Sequence, residues 1–258
     1  SYTVTASAPH YLSSQATVIL AANQPSANLG SVMQRAGDID NNGAIDLFDL
    51  VIVAGNYGLN PPYNTAADIN KDGAVDLFDL VIVGGNYGMQ NYQPWAGAAA
   101  AASGAGARRS PSLSTLLDRK LSALRAAVWV DTPTSLKAGD EFTAPVRLLG
   151  ARAVTGADVV VQYDPSALEL LPPQGATAPK ASAGDLFNSV GDFVAVNTAD
   201  AASGQVRYAA VHLGGAGGAA DTGTVLNLRF RARVDGKPAI FAARYQLADA
   251  GGSPLTPR

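Results

Sequence analysis

The chain contains no cysteine and only two histidines among its 258 residues, which limits the chemistry it can perform. Without cysteine there is no disulfide framework and no thiolate nucleophile, although this absence does not identify the compartment. His10 and His212 lie in different parts of the chain, and neither a zinc-ligand spacing nor a Gly-x-Ser-x-Gly motif occurs. The sequence therefore predicts a protein that is not an enzyme.

Charged residues are also scarce, at 15% of the chain, and the formal net charge is only −3. No basic surface of the kind that binds nucleic acid is visible. The apolar runs are short, and the longest, around residues 50–54, cannot cross a bilayer. The sequence starts at Ser1 and shows no signal peptide, so we expect a mature piece or a fragment of a longer protein.

What the sequence does contain is a twelve-residue acidic loop that occurs twice, at residues 38–49 and 68–79. Oxygen-bearing side chains occupy loop positions 1, 3, 5, 9 and 12, glycine occupies position 6, and alanine at position 7 offers its backbone carbonyl. This spacing lets a flexible loop surround a hard cation with six or seven oxygens. We therefore predict two calcium ions, with an Asp-rich surface turn as the alternative. The predicted ligands are Asp38, Asp40, Asn42, Ala44, Asp46, Asp49, Asp68, Asn70, Asp72, Ala74, Asp76 and Asp79.

An apolar, helix-like segment follows each loop. The pattern predicts helices over residues 47–57 and 77–87, ended by Gly58 and Gly88 in the position where glycine stops helices. No helix is predicted before either loop. The two copies, compared over residues 44–58 and 74–88, differ only at Ile45/Val75 and Ala54/Gly84.

A duplicated calcium loop followed by a helix, with Asp instead of Glu at position 12, resembles the type I dockerin module over residues 36–92. The resemblance implies that calcium is structural and that the helices present a docking face. Identical faces on both repeats imply two docking orientations related by a half-turn. The alternative is that Leu47 and Phe48 belong to the core. The implied recognition residues are Leu47, Phe48, Val51, Ala54, Gly55, Leu77, Phe78, Val81, Gly84 and Gly85.

Two further segments flank this module. Residues 1–35 form a β-rich tail that resembles the closing strands of a carboxypeptidase-regulatory-like β domain. Two or three strands cannot bury a core alone, so they either pack against the following module or require upstream sequence. Residues 93–125 are rich in Ala, Gly and Ser and predict a linker, with leucines at helical spacing that indicate a short amphipathic helix.

Residues 126–258 alternate strand-like segments with clusters of Gly, Pro, Asp and Ser, which favours an all-β sandwich. Residues 126–258, and most strongly 157–169, resemble cohesins, which are nine-stranded jelly-roll-like sandwiches that receive dockerins. The resemblance implies a dockerin-binding face on one sheet, while a structural role is the alternative for its histidine. The implied contact residues are Asp158, Ala209, His212 and Gly215. Strands are predicted over residues 128–130, 142–149, 157–163, 193–197, 206–213, 225–234 and 240–247.

The predicted fold class is a multidomain chain, with a small calcium-binding α module, an all-β jelly-roll-like sandwich and a few preceding strands. The resemblances imply a non-catalytic adaptor of secreted, cellulosome-like complexes that degrade polysaccharide. Its partners would be cohesin and dockerin modules of other proteins. Self-association of its own two modules, within or between chains, and a carbohydrate-binding sandwich are the alternatives. An extracellular or cell-surface location is implied.

Overall fold

The structure is a computed structural model that describes residues 1–20, 26–59, 64–95, 127–150, 154–214, 222–249 and 252–255. Within these residues, a small helical module with a β hairpin on it precedes a β sandwich, which confirms the predicted fold class. The predicted linker helix and Gly215 lie outside the described residues. In the part of the chain described, no helix is both long enough and apolar enough to span a membrane.

The N-terminal strands pack against the module that follows them. Strands β1 (Tyr2–Ala8) and β2 (Tyr11–Val18) form an antiparallel hairpin, and β3 (Gln93–Pro94) adds to β2 in parallel. Leu12 of β2 is fully buried in the core of the helical module. Of the two possibilities that the sequence left open, the described strands therefore show packing against the next module.

Helices α1 (Leu47–Asn56) and α2 (Leu77–Asn86) follow the two acidic loops, as predicted. Gly58 and Gly88 end them with φ of +71° and +84°, a left-handed conformation that glycine adopts without steric cost. A short 3-10 turn, Thr65–Ala67, precedes the second loop. The module's core is built from matching positions of both repeats, which are Ile45, Leu50, Val53, Val75, Leu80 and Val83.

The two repeats are joined by a reciprocal pair of backbone hydrogen bonds. The Gly58 amide donates to the carbonyl oxygen of Val75, and the Gly88 amide donates to that of Ile45, both at 2.8 Å. Gly58 and Gly88 are equivalent positions, as are Ile45 and Val75. The exchange therefore relates the repeats by an approximate half-turn.

Within the described residues, the sandwich has nine strands in two sheets. One sheet has the order β12-β6-β10-β9; the other has the order β4-β5-β11-β7, with β8 paired to β11. Seven of the strands were predicted, whereas β7 and β8 were not. The strands are β4 (Ala127–Val130), β5 (Glu141–Leu149), β6 (Gly156–Tyr163), β7 (Leu168–Leu171), β8 (Ser182–Ala183), β9 (Asp192–Asp200), β10 (Gln205–His212), β11 (Thr222–Ala232) and β12 (Ile240–Ala248).

The central strands of the first sheet are buried on both faces. In β10, Tyr208 and Ala210 point into the sandwich core, whereas Ala209 and Val211 belong to a second core shared with the helical module. In β6, Ala157 and Val159 point into the sandwich core, whereas Gly156 and Asp158 face the helical module, because successive side chains of a strand lie on opposite faces. The outer face of this sheet therefore carries the contact between the two modules.

Candidate calcium loops and module interface

Each acidic loop is shaped by hydrogen bonds from its own backbone. In the first, the Gly43 amide donates to Asp38 Oδ2 at 3.0 Å, and the Ala44 amide donates to Asn42 Oδ1 at 2.8 Å. The second loop repeats both bonds, with Gly73 on Asp68 at 3.1 Å and Ala74 on Asp72 at 3.0 Å. These bonds fix the side chains of loop positions 1 and 5 against the backbone of the same loop. The glycines at position 6 have φ of +89° and +93°.

One oxygen in each loop is buried without a hydrogen-bond partner among the described residues. These atoms are Asp38 Oδ1 and Asp68 Oδ1, at loop position 1 of the two repeats. A buried carboxylate oxygen without a donor is costly, because burial removes the water that would otherwise solvate its charge. In the first loop, carboxylate oxygens of Asp38, Asp40 and Asp49 lie within 4.8 Å of one another. This all-oxygen donor set fits a calcium ion.

The aspartate at position 12 holds the loop and the helix together. Asp49 accepts hydrogen bonds from the Ile39 amide at 2.7 Å and from the Asp46 amide at 2.9 Å. Asp79 accepts the equivalent bonds in the second repeat, at 2.7 Å and 3.0 Å. Both aspartates are fully buried. The shorter side chain of Asp, compared with Glu, is thus matched by direct contact with the backbone of the loop.

Burial raises the pKa of aspartates in both loops. It raises the pKa of Asp38 and Asp49 in the first loop, and of Asp76 and Asp79 in the second, because the charged form loses solvation. Carboxylates that are difficult to keep charged when buried gain most from a cation placed between them. The electrostatics therefore agree with the donor set.

The N-terminal hairpin closes over the first loop, which the sequence did not indicate. The His10 amide donates to Asn41 Oδ1 at 2.7 Å, and His10 Nδ1 lies 2.9 Å from the carbonyl oxygen of Ile39. The Gly37 amide donates to the carbonyl oxygen of His10 at 3.0 Å. His10, which belongs to no predicted site, is therefore a supporting residue of the first loop.

Helix α2 lies on the outer face of the sheet β12-β6-β10-β9. Leu77 and Val81 are 0% and 1% exposed, and they sit over Gly156 of β6. A Cβ built on Gly156 would overlap Val81 Cγ2 and approach Leu77 Cδ1 to 3.0 Å. The Gly214 amide donates to the carbonyl oxygen of Gly84 at 2.8 Å, which joins the end of α2 to the segment after β10. Gly156 therefore makes room for the helix, a role that sequence reasoning missed.

A buried charge lies beside this apolar contact. Asp158 of β6 is only 2% exposed. Arg207 of β10 donates two hydrogen bonds to it, from Nη2 to Oδ2 at 2.8 Å and from Nε to Oδ1 at 3.3 Å. The Tyr57 hydroxyl of the helical module donates to Asp158 Oδ2 at 3.0 Å, and the guanidinium lies 4.9 Å from the tyrosine ring centre. Burial, together with the charge of Asp158, raises the pKa of Tyr57. Tyr57 therefore links the modules through a satisfied polar network.

The equivalent face of the first repeat is open. Leu47, Phe48 and Val51 are 51%, 67% and 55% exposed. Gly55 is exposed as well, whereas Ala54 is half-buried. The two repeats thus have nearly the same sequence on this face but different surroundings.

The remaining predicted contact residues divide between two roles. Ala209 is fully buried in the core shared by the two modules, and Phe78 and Gly85 of α2 are half-buried. The His212 side chain instead hydrogen-bonds Asp192 and stacks on Phe187, with ring centres 4.8 Å apart. The ring of His212 thus has structural partners inside the sandwich, and its backbone carbonyl is the part that faces α2.

Comparison with known families agrees with this geometry. The family model of the cohesin domain matches residues 126–257, about half of the chain, and the protein belongs to the cohesin family. The model of the dockerin type I domain matches residues 36–85. The resemblances to type I dockerins and to cohesins are therefore confirmed. Cohesin and dockerin domains are non-catalytic modules, and type I dockerins bind calcium. No curated protein matches the chain.

Solved structures similar to the chain include cohesins from two organisms. A type II cohesin–X–dockerin complex from Acetivibrio cellulolyticus is 16% identical, covers 50% of this chain and 90% of that chain, and has a TM-score of 0.44. A type II cohesin domain from the same organism's cellulosome is 18% identical, covers 52% and 89%, and has a TM-score of 0.43. A type I cohesin–dockerin complex from Clostridium thermocellum is 16% identical, covers 52% and 93%, and has a TM-score of 0.41.

Proposed function

We propose that this chain is a non-catalytic adaptor that assembles extracellular, cellulosome-type complexes through calcium-dependent binding between dockerin and cohesin modules. The observation that carries the proposal is that one chain holds both members of the pair, with α2 of the dockerin seated on one sheet of the cohesin. The part of the sheet that contacts the dockerin combines a small residue, Gly156, with the buried polar network at Asp158. Its apolar and polar parts make it selective for a helix of this kind.

Calcium acts in this proposal by ordering the helices that dock. One ion would be held by the first loop and one by the second, each at the buried aspartate oxygen of position 1. The aspartate at position 12 connects each ion's loop directly to the first turn of its helix. Loss of the ion would therefore disturb the docking face as well as the loop.

The exposed face of α1 is the surface that would bind another protein, and its occupant is a cohesin sheet of a second chain. Leu47, Phe48 and Val51 repeat the residues that α2 places on the cohesin sheet, in the same order and spacing. A surface with the same helix geometry, and a sequence that differs only at Ala54 in place of Gly84, fits a receptor of the same class. Such an adaptor would keep one dockerin face for its own cohesin and offer the other.

Intramolecular closure is the second candidate function, and the contact between α2 and the sheet favours it specifically. A cohesin covered by its own dockerin would accept a foreign dockerin only after the internal contact opens. An internal partner is present at high effective concentration, so a foreign dockerin must compete with it. Closure and assembly would then be two states of one adaptor.

A carbohydrate-binding role finds little support on the described surface of the sandwich. Its markedly exposed aromatic side chains there are Trp129 of β4 and Phe241 of β12, which belong to different sheets. A flat row of aromatic rings, on which sugars could stack, is not formed by these two. The adaptor role is therefore preferred.

Capture by the immobilised full chain tests the adaptor function. Isolated cohesin modules and isolated dockerin modules of cellulosome proteins would be offered separately, in calcium and in calcium-free buffer. We expect calcium-dependent capture of a cohesin that Leu47→Asp abolishes, because a buried unpaired charge opposes docking. Leu77→Asp should instead release the internal contact and increase capture of dockerins. If the chain captures neither module in calcium, with or without Leu77→Asp, the adaptor function is wrong.

A further inference from the structure

The helical parts of the two repeats differ at one position, which bears on the choice between them. Over α1 and α2 the sequences are identical except that Ala54 of the first corresponds to Gly84 of the second. Glycine is a poorer helix former than alanine, because it loses more backbone freedom on folding. The second helix therefore carries a residue that lowers its intrinsic stability. The contact of that residue with the sheet gives a reason for it.

Gly84 lies against the end of strand β10. A Cβ built on it would fall 3.2 Å from the carbonyl oxygen of His212, 3.3 Å from Val211 Cγ2 and 3.6 Å from Leu213 Cδ2. The first two distances are tighter than a methyl group ordinarily tolerates. An alanine here would require either the helix or the strand end to move.

The strand end is held in place from several sides. The His212 amide donates to the carbonyl oxygen of Thr155 at 2.8 Å, and the Leu213 amide donates to that of Gly191 at 2.6 Å. The His212 ring is fixed by Asp192 and Phe187. A displacement of the His212 carbonyl would disturb all of these contacts. A methyl group at position 84 would therefore raise the free energy of the state in which α2 is docked on the sheet.

If the dockerin module were rotated by a half-turn, Ala54 would place such a methyl group at the position that Gly84 now occupies. The repeats are related by an approximate half-turn, so reversing the module would place α1 on the sheet and Ala54 against His212. Resting on the proposed function, we propose that the Ala54/Gly84 difference decides which repeat binds the chain's own cohesin. Gly84 allows the second repeat to dock on the chain's own cohesin sheet. Ala54 disfavours that position for the first repeat, whose face stays available to bind another protein.

Because the chain has no cysteine, an introduced thiol can report which face is covered. Val51→Cys and Val81→Cys place thiols of nearly the same size at equivalent positions of the two helices. Each would be made in the full chain and labelled with a maleimide in calcium. With Ala54 and Gly84 unchanged, the position-81 thiol should react at least about tenfold more slowly than the position-51 thiol, since Val81 is buried and Val51 is exposed.

The exchange variant Ala54→Gly with Gly84→Ala should reverse this order, protecting the thiol at position 51 and exposing the one at position 81. Gly84→Ala alone should reduce protection at position 81 by about tenfold, equivalent to roughly 1.4 kcal/mol of docking free energy. Because this change improves helix propensity, circular dichroism in calcium should show no loss of helix. Ala54→Gly alone gives both repeats a glycine at this position, so either repeat should fit the sheet, and the thiols at positions 51 and 81 should become partly protected to a similar extent.

The outcomes separate the inference from the function on which it rests. If position 81 stays protected and position 51 stays reactive after the exchange, the residue difference does not select the repeat and the inference is overturned. If neither position is protected in the chain with Ala54 and Gly84 unchanged, the internal docking itself fails, and the inference fails with it. Reversal on exchange would support both.

Discussion

Tyr57 and Asp158, 101 positions apart in sequence, are joined by a 3.0 Å hydrogen bond that connects the dockerin module to the cohesin sheet. The tyrosine directly follows the last residue of α1, yet its hydroxyl reaches the sheet on which α2 lies. The docking contact therefore draws on both repeats: the second supplies an apolar helix face and the first supplies a polar anchor.

Tyr57→Phe should weaken docking without unfolding either module. The change removes one hydrogen bond to a charged, buried carboxylate, and such bonds contribute about 1.5–3 kcal/mol. Asp158 keeps both hydrogen bonds to Arg207 and is therefore not left unpaired, so the net loss should lie near the lower end of this range. We expect protection of a thiol at position 81 to fall by about tenfold.

Tyr87→Phe is the matched control for this prediction, because Tyr87 follows α2 as Tyr57 follows α1 and makes no hydrogen bond to Asp158 among the described residues. It should leave the protection close to that of the unchanged chain. Equal effects of the two changes would argue that the tyrosines act only through packing in the module.

Gly156→Ala should displace α2 from the sheet. The new methyl group would occupy the space of Val81 Cγ2 and crowd Leu77 Cδ1, and overpacking of this kind typically costs about 1–3 kcal/mol. Labelling at position 81 should accelerate by about tenfold or more.

Gly55→Ala serves as the comparison for Gly156→Ala, because a Cβ at that position meets nothing within 4 Å. It should have no effect on labelling at position 81. Unchanged protection in Gly156→Ala would show that the helix does not rest on this glycine.

Asp38→Asn and Asp68→Asn should each remove one calcium site. In either variant an amide nitrogen can take the place of the buried Oδ1 oxygen, which turns a donor toward the cation, while the other oxygen still accepts from glycine. Calorimetric titration should give two ions per unchanged chain and one per single variant.

Asp131→Asn, which changes an exposed carboxylate on the sandwich, controls for loss of net charge and should keep both ions. Two ions in both loop variants would mean that the buried position-1 oxygens are not ligands.

Asn41→Ala and Lys71→Ala together measure the support that the hairpin gives to the first loop. The two residues occupy the same loop position, with φ of +59° and +60°; asparagine adopts this left-handed conformation more readily than lysine, so part of the larger loss in Asn41→Ala is conformational. Only Asn41 also accepts the His10 amide. We expect calcium affinity to fall by roughly five- to tenfold more in the first loop of Asn41→Ala than in the second loop of Lys71→Ala, in line with one lost hydrogen bond of about 1 kcal/mol. Equal losses would show that the hairpin contributes nothing to ion binding.

The shape of the two acidic loops, both helices and seven of the nine strands in the described residues could be predicted because their signals are local. Carboxylates at fixed spacing define the loops, glycine stops each helix, and alternation marks most strands. Strands β7 and β8 were missed because they have four and two residues, too few for a period to show. The contact of His10 with the first loop was also missed, since a single residue in a turn carries no pattern.

By itself, the sequence determined the family of each module and predicted which residues bind calcium, since these patterns depend on neighbours within one loop, helix or strand. It presented the two repeats as equivalent. Only the tertiary structure decided that α2 is covered and α1 is open, because this depends on whether a methyl group fits beside the His212 carbonyl. That distance is set by the packing of β10 against β6 and β9, far from the repeats in sequence, and no local pattern encodes it.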